Sequence, residues 1–157
     1  MKVFVTGGAG YIGSVCVEEL LNAGHQVTVF DNLSEGHRQA VDPRAGFVKG
    51  ELSDGKKLLK TLREFEAEAV MHFAASALVG ESMMNPSKYF ENNLANGVQL
   101  LIAAQEAGVK RFIHSSSCAT YGIPERVPLT EEAPQNPINP YGQTKLMFEQ
   151  ILPWYDR

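Results

Sequence analysis

The segment Thr6-Gly7-Gly8-Ala9-Gly10-Tyr11-Ile12-Gly13 narrows the possible folds more than any other part of the chain. It joins a compact apolar run, Lys2–Thr6, to a stretch with Ile12, Cys16 and Leu20 at helical spacing, Leu21 beside them and Gly24 as a stop. Gly7, Gly10 and Gly13 recur every three residues. Glycine there permits a tight strand-to-helix turn, brings backbone N–H groups close to a phosphate and lets the helix pack tightly on the strand. The helix N-terminus adds attraction for an anion. A glycine trio alone is a weak signal. Here a strand precedes it, a helix follows, and Asp31 ends the next β-rich run, Gln26–Asp31, 18 residues beyond Gly13. A carboxylate at that place accepts hydrogen bonds from ribose hydroxyls and repels a 2′-phosphate, and no arginine follows before Arg38. The expectation is a dinucleotide site for NAD rather than NADP; a plain turn or cap residue is the bland alternative for Asp31.

The pattern continues as β-rich runs alternating with helical ones. Gly46–Val48 is a short third strand, and Ser53 is the expected cap of a helix through Phe65 with Leu58, Leu59, Leu62 and Phe65 on one face. Ala69–Ala75 and Arg111–Ser117 are further strands, separated by a long helix traced by Leu94, Val98, Leu101, Ile102 and Gln105 and stopped at Gly108. A proline-rich loop follows Tyr121-Gly122, and a last helix starts near Pro140 and runs toward Leu152. Such alternation predicts an α/β fold, a doubly wound parallel sheet of Rossmann type with at least five strands, whose ligands bind beyond the strands' carboxyl ends.

Composition removes other classes. Apolar content is 44% and the net charge −4, so the chain is neither disordered nor basic enough for a nucleic-acid footprint. No stretch has the length of a membrane span, and no signal peptide opens the chain. Cys16 and Cys118 are far apart, and the four histidines have no ligand spacing, so neither a disulfide framework nor a metal site is expected. The picture is a reduced, cytoplasmic protein with no membrane or nucleic-acid partner.

Tyr141-Gly142-Gln143-Thr144-Lys145 sets a phenol and an ammonium at i and i+4 on the last helix. Any helix can carry such a pair on its surface. The cluster Ser115-Ser116-Ser117 at the end of the fifth strand and the long loop between cluster and helix favour a catalytic reading. A free phenol ionises near pH 10. A neighbouring ammonium and the positive charge of oxidised nicotinamide both favour phenolate. Tyr141 then takes a proton from a sugar hydroxyl while the attached carbon loses hydride, and Ser117 hydrogen-bonds the same oxygen.

Together TGGAGYIGS, FDNLS, HFAASALVGES, SSSCATYG and NPYGQTK resemble the extended short-chain dehydrogenase/reductases, in particular their NAD-dependent epimerase/dehydratase branch. The resemblance covers essentially the whole chain, with the motifs in the expected order. It implies an NAD-binding domain over residues 1–157 followed by a smaller substrate domain that this sequence lacks. It also implies reversible inversion at C4 of a UDP-hexose, the UDP-glucose/UDP-galactose interconversion, through a 4-keto intermediate. Gly7, Gly10, Tyr11, Ile12 and Gly13 would meet the pyrophosphate, and Asp31, Asn32, Leu33, Ser34 and Gly36 would surround the adenosine ribose. Glu51 and Leu52 would flank the adenine, Phe73, Ala74, Ala75 and Ala77 would line the cofactor, and Asn92 would hydrogen-bond it. Ser115 would join them at the rim, and Ser117, Tyr141 and Lys145 would be the reactive trio. Packing of Phe73 in a strand, and Asn93 or Asn96 in place of Asn92, stay open as alternatives.

Three positions depart from the family pattern: Glu51 stands for the usual Asp, Ala77 for a lysine found in some epimerases, and Val15 for a common histidine. Cys118-Ala119-Thr120 carries none of the carboxylates with which related dehydratases and decarboxylases eliminate, which favours epimerisation. Epimerases of this kind are roughly twice this length, so the expectation is an N-terminal portion, itself inactive. A cofactor-binding module without turnover, another sugar-nucleotide oxidoreductase and a compact carbonyl reductase are the alternatives. Apolar faces on the helices around 94–107 and 141–152 fit a homodimer, or burial against a segment beyond Arg157.

Overall fold

A computed structural model describes residues 1–156; Arg157 lies outside the described residues. The chain divides into two compact units, residues 1–74 with 98–115, and residues 75–97 with 116 onward.

The first unit holds a wholly parallel sheet. β1 (Lys2–Thr6), β2 (Gln26–Asp31), β3 (Gly46–Lys49), β4 (Ala69–His72) and β5 (Arg111–His114) lie in the order β3-β2-β1-β4-β5. The order reverses at β1, the feature of doubly wound sheets that opens a crevice at the strands' carboxyl ends. The expected parallel five-strand sheet is therefore present. β1 is buried along nearly its whole length because it is covered on both faces, and its alternate residues feed two cores. Phe4 joins Phe30, Val70, Leu58 and Leu62 of helix α2 (Gly55–Phe65) and Leu100 of helix α5 (Asn96–Glu106). Val3 and Val5 join Val27, Val29 and Val17 of helix α1 (Tyr11–Asn22).

Several expected details move. The buried stripe of α1 runs through Gly13 and Val17, with Leu20 and Leu21 packed beside it, so Ile12 faces outward. The stripe is set by the glycine that must approach β1, one position away from the apolar spacing that the sequence offers. Asp54, not Ser53, caps α2, its carboxylate accepting from the Lys57 amide at 3.0 Å. β4 stops at His72 and β5 at His114, so Phe73–Ala75 and Ser115–Ser117 are extended loop beyond the strands. Phe73 still donates its N–H to the Thr6 carbonyl and packs its ring on the valine core.

In the second unit, helix α3 (Val79–Met84), helix α4 (Pro86–Tyr89) and a π-helical turn (Phe90–Ala95) precede α5. Helix α6 (Pro140–Tyr155) packs against all three and against a 3-10 turn at Cys118–Thr120. The start of α6 near Pro140 is as expected; Asn139 caps it by accepting from the Gly142 amide at 2.8 Å, and the helix continues through Pro153. Among the described residues no helix is long and apolar enough to cross a membrane, and no group of His, Cys, Asp or Glu is arranged to hold a metal.

The tightest packing in the first unit is backbone on backbone. A Cβ on Gly13 would lie 2.2 Å from the Gly7 carbonyl oxygen, whereas one on Gly80 of α3 would meet nothing within 4 Å. We expect Gly13→Ala to lower stability by about 1–3 kcal/mol and Gly80→Ala to be neutral or to stabilise by up to about 1 kcal/mol. Urea denaturation of the two variants checks this; equal effects would contradict the assigned contact.

Candidate active site

The glycine turn of the first unit is shaped for an anion. Gly7 has φ of +73°, and a Cβ there would lie 2.4 Å from the Ala74 amide nitrogen, so glycine is required on two counts. Gly10 is the N-cap of α1 and offers no side-chain acceptor, which leaves first-turn N–H groups for an outside one. Around that N-terminus Tyr11 and Ile12 stand 90% and 63% exposed, unusual for large apolar side chains.

Asp31, buried at the end of β2, is engaged within the chain. Its Oδ2 accepts from the Ala9 amide at 3.0 Å, and Oδ1 accepts from the Leu33 amide at 2.8 Å, where Leu33 holds φ of +64°. The turn role set against the ribose role thus exists, and the carboxylate oxygens keep further lone pairs beside it. Asn32 Oδ1 accepts from both the amide and the hydroxyl of Ser34, and Asn32 Nδ2 donates to Glu51 Oε2 at 2.9 Å, so the longer carboxylate arm at 51 links the loops after β2 and β3. The His37 amide, just past Gly36, donates to the Ala9 carbonyl at 2.9 Å. Leu52 is core, packed with Phe4 and Phe30. Ala74 packs partly on the same core, and Ser115 donates its amide to the His72 carbonyl at 3.1 Å. These residues fit a dinucleotide: uncapped amides for a pyrophosphate, then a buried carboxylate among polar loop residues for a ribose.

The second unit holds Ser117, Tyr141 and Lys145, the trio expected to react. Ser117 caps the 3-10 turn, its Oγ accepting from the Ala119 amide at 3.2 Å, which leaves the hydroxyl hydrogen able to donate elsewhere. Tyr141 lies in the first turn of α6, its ring edge-on to the buried Tyr89 ring at 6.4 Å. Lys145 follows one turn later at 4% exposure. Burial pushes its ammonium down from 10.5 to about 8, and the negative charge of Glu149 opposes that shift.

Polar side chains fix this helix. Asn93 is buried, accepting from the Ser76 amide at 2.8 Å and donating to the Ser76 carbonyl at 2.9 Å and to Thr144 Oγ1 at 3.2 Å. Thr144 donates in turn to the Tyr141 carbonyl at 2.8 Å. Asn92, the expected cofactor contact, is only half-buried; its amide reaches Ser76 Oγ at 3.3 Å and Asn93 Oδ1 at 3.1 Å. Ala75 is half-buried and Ala77 exposed. Thr144 and Glu149 escaped the sequence reading, and Asn93 entered it only as an alternative cofactor contact to Asn92, not as a brace. The i+4 spacing of Glu149 from Lys145 was available as a signal; the inward aim of Asn93 within a π-helical turn was not.

A UDP-glucose 4-epimerase of Lactobacillus helveticus is 53% identical over 157 residues, all of this chain and 48% of the relative. The chain thus spans about half the length of the curated relatives it matches. The crystal structure of UDP-glucose 4-epimerase from Brucella ovis in complex with NAD superposes with a TM-score of 0.95 at 47% identity, over 98% of this chain and 47% of that one. The enzyme from Bifidobacterium longum in complex with NAD+ and UDP gives 0.93 at 37% identity, over 98% and 48%. Residues 3–157 match the NAD dependent epimerase/dehydratase family, and the chain belongs to it.

Proposed function

We propose that the chain is the cofactor-binding and acid/base portion of an NAD-dependent 4-epimerase of UDP-hexoses, interconverting UDP-glucose and UDP-galactose. The observation that carries the reading is Lys145: a lysine held buried at 4% exposure, one helical turn from Tyr141. An amine buried at that energetic cost is the mark of a site selected for chemistry. The relatives' complexes with NAD and UDP support the rest.

Bound NAD would supply reversible hydride transfer at C4 of the sugar. Amides of the uncapped α1 N-terminus would hold its pyrophosphate, and Asp31 would accept from its ribose. Tyr141 removes the proton of the 4-hydroxyl as the 4-keto sugar forms and restores it afterwards. Lys145, one turn along the same helix, supplies the positive charge of the set. Ser117 donates its free hydroxyl hydrogen to the sugar oxygen. Cys118–Thr120 offers no carboxylate for elimination, which favours inversion over dehydration.

A homodimer through α5 and α6 completes the proposal: Ile102 on α5 and Trp154 on α6 stand 37% and 67% exposed, and Ile151 and Leu152 are half-covered. A dimer by sedimentation at micromolar concentration supports this, and a monomer that persists at higher concentration removes it.

In the protein at full length, Tyr141→Phe lowers UDP-galactose turnover by about 10²–10⁴-fold while NAD titration stays unchanged. Near-normal turnover would remove the role of Tyr141. The Lys145 ammonium adds a stability test. Below pH 8 the folded and unfolded chains both carry its proton and the burial penalty is complete. Between about 8 and 10.5 the unfolded chain alone keeps that proton, so stability rises with pH. We expect Lys145→Met to be more stable than the parent by up to about 3 kcal/mol at pH 7, with most of the advantage gone by about pH 10.5. Urea denaturation at the two pH values reads this, and a pH-independent difference would contradict it.

A further inference from the structure

The face of α6 that carries Tyr141 and Lys145 continues to Glu149, four residues beyond the lysine. Both oxygens of its carboxylate are used. Oε1 accepts from the Ser116 hydroxyl, and Oε2 accepts from the Gln135 side-chain amide at 2.8 Å. Ser116 adjoins Ser117, and Gln135 lies on the proline-rich loop that leads into α6. The same Gln135 amide approaches Thr120 Oγ1 at 3.4 Å, at the end of the turn that Ser117 caps. One carboxylate therefore fastens the serine segment, the loop and the helix, the three stretches whose relative placement sets the distance from Ser117 to Tyr141. Bonds to an ionised acceptor are roughly twice as strong as neutral ones, so the charge of Glu149 strengthens this fastening as well as acting on Lys145.

We propose that Glu149 is the positioning residue of the Ser117–Tyr141–Lys145 set, pinning the Ser116–Ser117 segment and the Gln135 loop to α6 through one hydrogen bond each and setting its carboxylate one helical turn beyond Lys145. The inference rests on the reading of those three residues as the reactive set. Other titratable groups come from the elements packed against α6: Glu81, Lys88 and Tyr89, Glu91 and Cys118. Glu81 pairs with Lys88 at 2.8 Å and accepts from the Tyr89 hydroxyl at 2.7 Å, so those charges offset each other. Tyr141 is the remaining titratable group on the lysine's own face of the helix. Glu149 is the charge that opposes the cost of burying Lys145.

The test is titration of the Lys145 side chain by NMR in the full chain labelled at the lysine ε-carbon, assigned with Lys145→Arg, without cofactor or sugar. In the parent the midpoint falls near 8. Glu149→Gln, which keeps size and one acceptor but no charge, lowers it by roughly half a pH unit or more, and Glu149→Asp restores most of the loss. A midpoint unmoved by Glu149→Gln overturns the electrostatic half of the proposal. Ser116→Ala leaves every charge in place; it speeds hydrogen exchange of the Ala119 amide about tenfold, the loss of one charge-assisted hydrogen bond. Unchanged exchange overturns the tether, and it decides the matter even where the Glu149 variants do not fold. Neither measurement involves turnover, so the positioning role and the epimerase reading fail or stand separately.

Discussion

Contact between two stretches of backbone governs the first unit. The Gly7 carbonyl oxygen lies where a Cβ on Gly13 would be, so helix α1 can sit on its strand only because position 13 has no side chain. That approach selects the buried face of the helix, Gly13 and Val17 with Leu20 and Leu21 alongside, against the apolar spacing of Ile12, Cys16 and Leu20. It also fixes an uncapped helix N-terminus directly after the carboxyl end of β1, the end of the sheet at which ligands of this architecture bind. Large side chains left facing water there, Tyr11 and Ile12, follow from the same geometry.

The second unit is organised by polar side chains. Asn93 satisfies both backbone groups of Ser76 and reaches Thr144, while Asn139 caps the helix that Thr144 braces. Buried polar groups are expensive unless paired, and a fully paired network specifies one arrangement. Lys145 sits within this frame at a cost in stability, and its environment tunes the charge of the amine. The proposed reactive phenol and amine lie one turn apart on a single helix.

The sheet and its crossovers were legible because β-rich runs and helical periodicity alternate without interruption, and the motifs at Gly7–Gly13, Asp31 and Tyr141–Lys145 fall at strand ends or on one helix face. Strand ends were less legible. Phe73–Ala75 is apolar and reads as strand, yet pairing with β5 stops at His72, and a run of residue types does not reveal where a partner strand ends. The segment from Val79 to Ala95 carries short helices and a π-helical turn. Their stability comes from packing on α6, a tertiary contact that local propensity does not encode. Ser53 and Asp54 are adjacent and both good caps, so their order was settled only by which side chain met the Lys57 amide. For the site, residue types announced the candidate reactive groups but not the side chains that brace them. Asn92 and Asn93 are alike in sequence, and only the direction in which each faces tells the ligand candidate from the strut.

Asp31 holds two backbone amides, and ribose binding is proposed for the same side chain. The carboxylate suited to a ribose also pins the Ala9 amide of the glycine turn and the Leu33 amide of a loop in a strained left-handed conformation. Redesign or evolutionary drift toward a phosphorylated coenzyme therefore has no one-step route through this position. Replacing the acid releases the loop before any new contact is gained, so compensating changes among the neighbouring loop residues have to come first. A preference for the unphosphorylated dinucleotide, as proposed for Asp31, would in this sense be guarded by the architecture itself.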